Sequence, residues 1–147
     1  MATPPPLVDG WQQLTANWSL TLPFPMARRV EDASLVFWHS PRKITFWLSL
    51  FGADMHQNAR AAIDHVKAIQ SPAIYDEMEE GGGGLMFYSY RLLEADDGRQ
   101  PSFYGHVAES SGARLLIAGY FDAAEWHQDV LKTWRSVRFS DQSLRHV

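Results

Sequence analysis

Hydrophobic and polar residues alternate along several stretches of this chain, which is the pattern of β-strands that present different residues to two faces. The clearest stretch runs from Ile44 to Phe51 and places Trp47 on the face opposite Phe46. Together with similar stretches it predicts an antiparallel sheet of about six to seven strands. The remaining predicted strands span residues 18–22, 34–39, 74–79, 85–94, 102–109 and 114–121.

Two segments have apolar residues at helical spacing and predict amphipathic helices. Before the first, Asp54 and Gln57 have the spacing of a capping box, and the apolar stripe is Ala62, Val66 and Ile69. The second spans residues 123 to about 138, with Asp122 and Glu125 as its capping pair. Its stripe consists of Trp126, Val130, Trp134 and Val137.

The order of these elements predicts an α+β fold, an α/β/α sandwich with two main helices. We expect one domain over residues 11–140, with a flexible arm at 1–10 and a tail at 141–147.

The last two predicted strands are joined by Ser110, Ser111 and Gly112. If Ser111 and Gly112 form a two-residue turn, Ser110 pairs with Ala113. A three-residue loop changes the partners but leaves both faces apolar. Such a sheet must be covered on both sides, so either each helix takes one face or a second subunit or a ligand covers the remainder. With the two-residue turn, one face of this hairpin carries Phe103, Val107, Leu116 and Tyr120. The other face carries Tyr104, His106, Leu115, Ile117 and Phe121.

Aromatic residues form 13% of the chain, and the core of a domain this size cannot bury all of them, so some rings should lie at a surface. The net charge of −4 argues against a nucleic-acid partner. The absence of Cys excludes disulfide frameworks, Cys-type zinc sites and thiol nucleophiles. No apolar run approaches the ~20 residues of a membrane span and no signal-peptide pattern is present, so a cytoplasmic location is expected.

Motifs for catalysis, metals and cofactors are missing from the sequence. The glycines at 81–84 lead into a strand without a nearby Lys, which disfavours a phosphate loop. His56 and His65 would lie on opposite sides of one helix. Neither an H-E-x-x-H nor a G-x-S-x-G motif occurs. We therefore expect a protein without catalytic activity, metal or cofactor.

The strongest candidate binding residues are aromatic side chains at alternating positions of the predicted strands. Such rings are favoured at protein interfaces, but packing beneath a helix is the more common use of rings in this pattern. The candidates are Trp47, Tyr88, Tyr90, Tyr104 and His106.

Two other functions remain open. A pocket near His106 and Tyr104 would suit a small-molecule binder or an enzyme without a recognisable motif. The acidic run Asp76, Glu77, Glu79 and Glu80 could instead block a basic toxin site, as an immunity-type inhibitor does. The same run is also typical of an edge strand that charge protects against aggregation.

Residues 18–23 read W-S-L-T-L-P and residues 134–139 read W-R-S-V-R-F. With these two motifs and its order of elements, the chain resembles the PsbP/DcrB-like α/β/α sandwich superfamily over roughly residues 11–140. Members are mostly non-enzymatic binding and assembly factors. One bacterial branch consists of dimeric chaperones that shield hydrophobic helices of type VI secretion effectors. The resemblance implies a chaperone-like or adaptor-like homodimer that binds a hydrophobic segment of a secreted protein, and it assigns no role to any single residue.

Overall fold

The computed structural model of the protein describes residues 6–52, 58–82, 84–94 and 99–140. These residues form two antiparallel sheets and two α-helices. The helices are α1 (Ala59–Ala68) and α2 (His127–Arg135), and 3₁₀ turns occupy Ser40–Arg42 and Ala124–Trp126. The strands are β1 (Leu7–Val8), β2 (Trp11–Gln13), β3 (Trp18–Thr21), β4 (Met26–Glu31), β5 (Ser34–His39), β6 (Ile44–Phe51), β7 (Tyr75–Gly82), β8 (Leu85–Leu92), β9 (Ser102–Ala108), β10 (Arg114–Phe121) and β11 (Arg138–Phe139).

The main sheet has eight strands in the order β1-β4-β5-β6-β10-β9-β8-β7, and a small sheet has the order β11-β3-β2. The predicted α+β class is confirmed, but the predicted number of about six to seven strands is too small. The short strand β1 falls within the predicted N-terminal arm and pairs with β4. Residues 1–5 of that arm and the predicted tail at 141–147 lie outside the described residues.

Strand β4 was not predicted because its alternation of hydrophobic and polar residues is weak. Arg28 and Arg29 stand side by side in it, and no aromatic residue marks it. Asp32 and Ala33, which connect it to β5, have φ angles of 49° and 64°. Two central residues with positive φ make the tight turn that matches the twist of a hairpin. Asparagine and glycine, the usual residues of such a turn, are absent, so the hairpin lacks its usual sequence signal.

The connection between β9 and β10 is a three-residue loop, which is the second of the two alternatives left open by the sequence. The Glu109 N–H donates to the Ala113 carbonyl at 3.0 Å, and the Gly112 N–H donates to the Glu109 carbonyl at 2.8 Å. Gly112 has a φ of 88°, which favours glycine. The pairing shifts by one residue, and Leu115 and Ile117 face the same side as Val107.

One side of the main sheet, here called the inner face, is covered by α2 and by the small sheet. Helix α2 buries Val130, Leu131 and Trp134 against it, and β3 adds Trp18 and Leu20. The predicted stripe of the second helix therefore points inward. The helix begins later than predicted, because the chain first makes the 3₁₀ turn, whose N-cap residue caps no backbone group with its side chain.

The opposite side, here called the outer face, carries α1. The side chain of Asn58 caps this helix by accepting a hydrogen bond from the Ala61 N–H at 2.8 Å, whereas the predicted capping pair of Asp54 and Gln57 lies outside the described residues. Ala62 and Val66 are buried as predicted. Ile69, after the end of the helix, is 67% exposed, and Ile63 takes the buried position instead.

Trp134 is the largest fully buried side chain of the inner face and rests directly on the sheet backbone. Its ring centroid lies 5.5 Å from those of Phe87 and Phe103, in T-shaped orientations, and its Nε1–H donates to the His106 carbonyl at 3.3 Å. A Cβ atom at Gly105 would lie 2.5 Å from Cδ1 of Trp134. Glycine at position 105 is what allows α2 to approach so closely.

We predict that Gly105→Ala destabilises the protein by about 2 kcal/mol or more, because the new methyl group overlaps the Trp134 ring. Urea unfolding measures the effect. Gly82→Ala is the matched control, since a Cβ there would meet nothing within 4 Å, and it should change the free energy of unfolding by less than about 0.5 kcal/mol. Equal stability of both variants would contradict the role given to Gly105.

Candidate functional site

The register of the main sheet arranges outer-face side chains in rows across neighbouring strands. One row runs from Trp47 through Ala118 and Tyr104 to Tyr90. The adjacent row includes His106 and Tyr88. All five predicted binding residues therefore share the outer face and lie in two adjacent rows.

Helix α1 divides this set because it packs over β8 and β9. Ile63 and Val66 of the helix share a cluster with Tyr88 and Tyr90, which are 1% and 6% exposed. His106 is 4% exposed. These three residues lie in the interior of the protein, whereas Tyr104 and Trp47 are half-buried.

Beyond α1, the outer face contains a region of half-buried side chains on β5, β6 and β10. Both helices of the described chain are used elsewhere, since α2 packs on the inner face and α1 packs on β8 and β9. We call this region the open face. Its side chains are Trp38, Thr45, Trp47, Ser49, Leu116 and Tyr120.

The aromatic rings run continuously from the covered region into the open face. Tyr90 stacks on Tyr104 with ring centroids 5.4 Å apart, and the edge of Tyr104 meets Tyr120 at 6.5 Å. Ala118, which is 5% exposed, lies between Trp47 and Tyr104 in the row. Because a small residue lies between two large rings, this part of the outer face forms a shallow depression bordered by aromatic side chains.

His106 and Arg114 form the most unusual polar contact of the outer face. Nη1 of Arg114 lies 2.7 Å from Nδ1 of His106, and its guanidinium carbon lies 4.1 Å from the centroid of the Phe51 ring. Burial, together with the positive charge of Arg114, lowers the pKa of His106 to about 3. The imidazole is therefore neutral, and its Nδ1 accepts from the guanidinium.

Two nitrogens of this pair are buried without a hydrogen-bond partner among the described residues. They are Nε2 of His106 and Nε of Arg114. Burial also lowers the pKa of Arg114, which nonetheless keeps its charge at neutral pH. No carboxylate of the described chain forms an ion pair with it. An unpaired cation in a partly buried position is costly for the fold.

The tyrosine hydroxyls of the outer face act as hydrogen-bond donors. The Tyr88 hydroxyl donates to Oε1 of Glu77 at 2.5 Å, and the Tyr104 hydroxyl donates to Oε1 of Glu94. Burial, reinforced by these carboxylates, raises the pKa of both tyrosines. Neither phenol is a base at neutral pH, and neutral His106 has no access to solvent, so this group of residues is poorly suited to proton transfer.

The predicted acidic edge is strand β7, at the border of the main sheet. Glu79 pairs with Arg60 and with Lys67 of α1, and hydrogen bonds from these cations lower the pKa of its carboxyl. Glu80 pairs with Arg135 of α2 at 2.7 Å. The carboxylates thus connect the edge strand to both helices, and a basic partner would first have to displace these contacts.

Asp76 and Glu77 occupy the irregular part of this strand. Asp76 has a φ of 53°, and the register shifts between Tyr75 and Met78. A bulge of this kind interrupts the regular hydrogen-bonding edge and discourages pairing with another strand.

A cavity of about 390 Å³ lies at one end of the open face. It is lined by Lys43, Thr45, Arg99, Tyr120 and Asp122. Arg99 and Asp122 form an ion pair at 3.5 Å, so the lining carries a net positive charge from Lys43.

In the part of the chain that the structure describes, no group of three or more His, Asp or Glu side chains could hold a metal ion. Helices α1 and α2, with ten and nine residues, are both too short to cross a membrane.

Sequence reasoning missed Trp38, Leu116, Tyr120 and Arg114 as parts of the site. Their alternating positions on the predicted strands at 34–39 and 114–121 were a usable signal. The missing information was which strands are neighbours and which of them a helix covers.

No protein-family model matches this chain, and no curated protein sequence is significantly similar to it. The likeness to the PsbP/DcrB-like superfamily therefore remains a hypothesis that rests on the residues quoted for it.

We predict that His106 makes the protein less stable in acid. Its folded-state pKa of about 3 lies below the ordinary 6.5, so the unfolded chain takes up a proton first as the pH falls. Stability that is present above pH 6.5 is lost progressively towards pH 3. His106→Gln should make the free energy of unfolding fall less steeply over this range in urea titrations at several pH values. Identical slopes for the variant and the parent would contradict the assignment.

Proposed function

We propose that this protein is a non-catalytic binding domain, chaperone-like or adaptor-like, that holds an apolar segment of another protein on its open face. The observation that carries the proposal is the half of an aromatic sheet face that neither described helix covers. Trp38, Trp47 and Tyr120 present half-buried rings with polar edges there, and such residues commonly anchor protein interfaces.

The dimensions of the open face favour a helical segment. Neighbouring strands are about 4.8 Å apart and packed helices lie about 8–10 Å apart. Helix α1 packs over β8 and β9, so a second helix beside it would lie over β10 and β6. Its apolar side would then rest on Trp47 and Leu116.

Tyr104, at the boundary of the open face, is held in place before any partner binds. Tyr104 is fixed by its stack on buried Tyr90 and by its hydrogen bond to Glu94, so little side-chain entropy is lost when a partner packs on it. Apolar burial contributes about 25 cal/mol per Å² before the costs of association.

The resemblance to the PsbP/DcrB-like superfamily supports the same kind of partner, a hydrophobic segment of a secreted protein. It also implies that this protein forms a homodimer. A second copy of this chain is the competing occupant of the open face. Light scattering over a range of protein concentrations distinguishes the two, because a face used for self-association gives a dimer mass that Trp47→Ala abolishes.

We predict that Trp47→Ala weakens capture of the partner by about 2 kcal/mol, or roughly thirtyfold, while the protein stays folded. The measurement is affinity purification from native lysate with quantitative mass spectrometry, followed by titration with the partner identified. Trp11→Ala is the matched control, because Trp11 is 62% exposed on β2 of the small sheet, and its partner recovery should equal that of the parent.

Tyr90→Ala shows what the loss of a core ring does, in contrast to the loss of a ring from the binding surface. Tyr90 is buried beneath α1, so its loss should lower the free energy of unfolding by about 3 kcal/mol or more. If Trp47→Ala unfolds the protein to the same extent, or retains the partner in full, the open face is not a binding surface.

A further inference from the structure

We propose that the segment held on the open face is acidic, with carboxylates at both ends of its apolar stretch. This inference rests on the proposed function, since it concerns the same surface, and it specifies the charge of the partner. Two cations at opposite ends of the open face carry it.

Arg114 is the cation at the first end. It lies beside Leu116 on β10, and the contacts with His106 and Phe51 fix its position. The guanidinium is half-buried and has no carboxylate partner among the described residues. A carboxylate from a partner would neutralise it and accept hydrogen bonds from its outward N–H groups.

Lys43 is the cation at the second end. It is exposed in the cavity beside Thr45 and Tyr120, and no described carboxylate pairs with it. Arg99 stands in the same cavity, where Asp122 offsets its charge. The cavity therefore presents an available ammonium group next to two outer-face residues.

The carboxylates that border the open face are already engaged within the chain. Glu31 pairs with Arg29, whose guanidinium lies over the Trp38 ring, and Glu94 accepts from the Tyr104 hydroxyl. Arg29 neutralises Glu31 and Arg99 neutralises Asp122, whereas Glu94 keeps its charge. With Lys43 and Arg114 against Glu94, the border has a net positive charge although the chain carries a net charge of −4. A basic segment would meet Lys43 and Arg114 with like charge, whereas an acidic segment would be attracted to both.

The separation of the two cations sets the spacing of the partner carboxylates. Ile44, the neighbour of Lys43, pairs with Phe121, which is seven residues from Arg114 along β10, so the two cations are about 25 Å apart. An α-helix covers that distance in about 17 residues. The expected partner is a helix of this length with an apolar stripe and with Glu or Asp near each end.

The test uses two synthetic amphipathic helices with the same apolar residues, one flanked at both ends by Glu and the other by Lys. Fluorescence anisotropy measures their binding to the full chain at low and at high salt. We expect the Glu-flanked peptide to bind at least about tenfold more tightly, with a preference that shrinks as salt screens the charges. Lys43→Glu should reduce this preference, and Lys132→Glu, on the exposed side of α2, should leave it unchanged.

The other outcomes separate a failure of the charge preference from a failure of the proposed function. If both peptides bind equally and Trp47→Ala abolishes both, the open face binds segments but the acidic preference is wrong. Tighter binding of the Lys-flanked peptide overturns the inference as well. If neither peptide binds, the proposed function fails, and the charge preference fails with it.

Discussion

The contact between Trp134 and the backbone at Gly105 determines which elements cover each face of the main sheet. By resting on the sheet it fixes α2 on the inner face, and the chain that leaves α2 then forms β11 beside β3. The ring of Phe139 meets that of Trp18 at 4.9 Å and closes the small sheet over the same side. Because α2 and the small sheet both cover the inner face, α1 is the described helix left for the outer face.

A ten-residue helix is too small to cover the whole outer face. Helix α1 is about 15 Å long, and the eight-stranded sheet is about 34 Å wide. The covered half of the outer face still contributes to the open half, because Tyr90 beneath α1 supports Tyr104 at the boundary. The ion pairs of Glu79 and Glu80 brace α1 and α2 against strand β7, so the acidic run has a structural use within the fold. The open face follows from this imbalance of covering elements.

The sequence predicted elements well where the local pattern was strong. The predicted bounds of β5, β6 and β10 agree with the structure, since alternation is regular there and turn residues flank it. Strand β4 was missed because paired arginines hide its alternation, and β1 consists of two residues whose pairing is long-range. The site was predicted in part. A period of two assigns Trp47 and Tyr88 to faces, but only tertiary packing decides that α1 covers Tyr88 and leaves Trp47 half-buried. The need for glycine at position 105 also arises from tertiary packing.

The most direct measurement of the open face is the solvent accessibility of individual tryptophans in the isolated protein. Incorporation of 5-fluorotryptophan gives fluorine NMR signals that Trp→Phe variants assign, and a soluble gadolinium chelate broadens those that solvent reaches. The signals of Trp38 and Trp47 should broaden strongly, while those of buried Trp18 and Trp134 should persist. A Trp47 signal as protected as that of Trp134, at protein concentrations where the chain is monomeric, would show that the face is closed and would contradict a docking surface there.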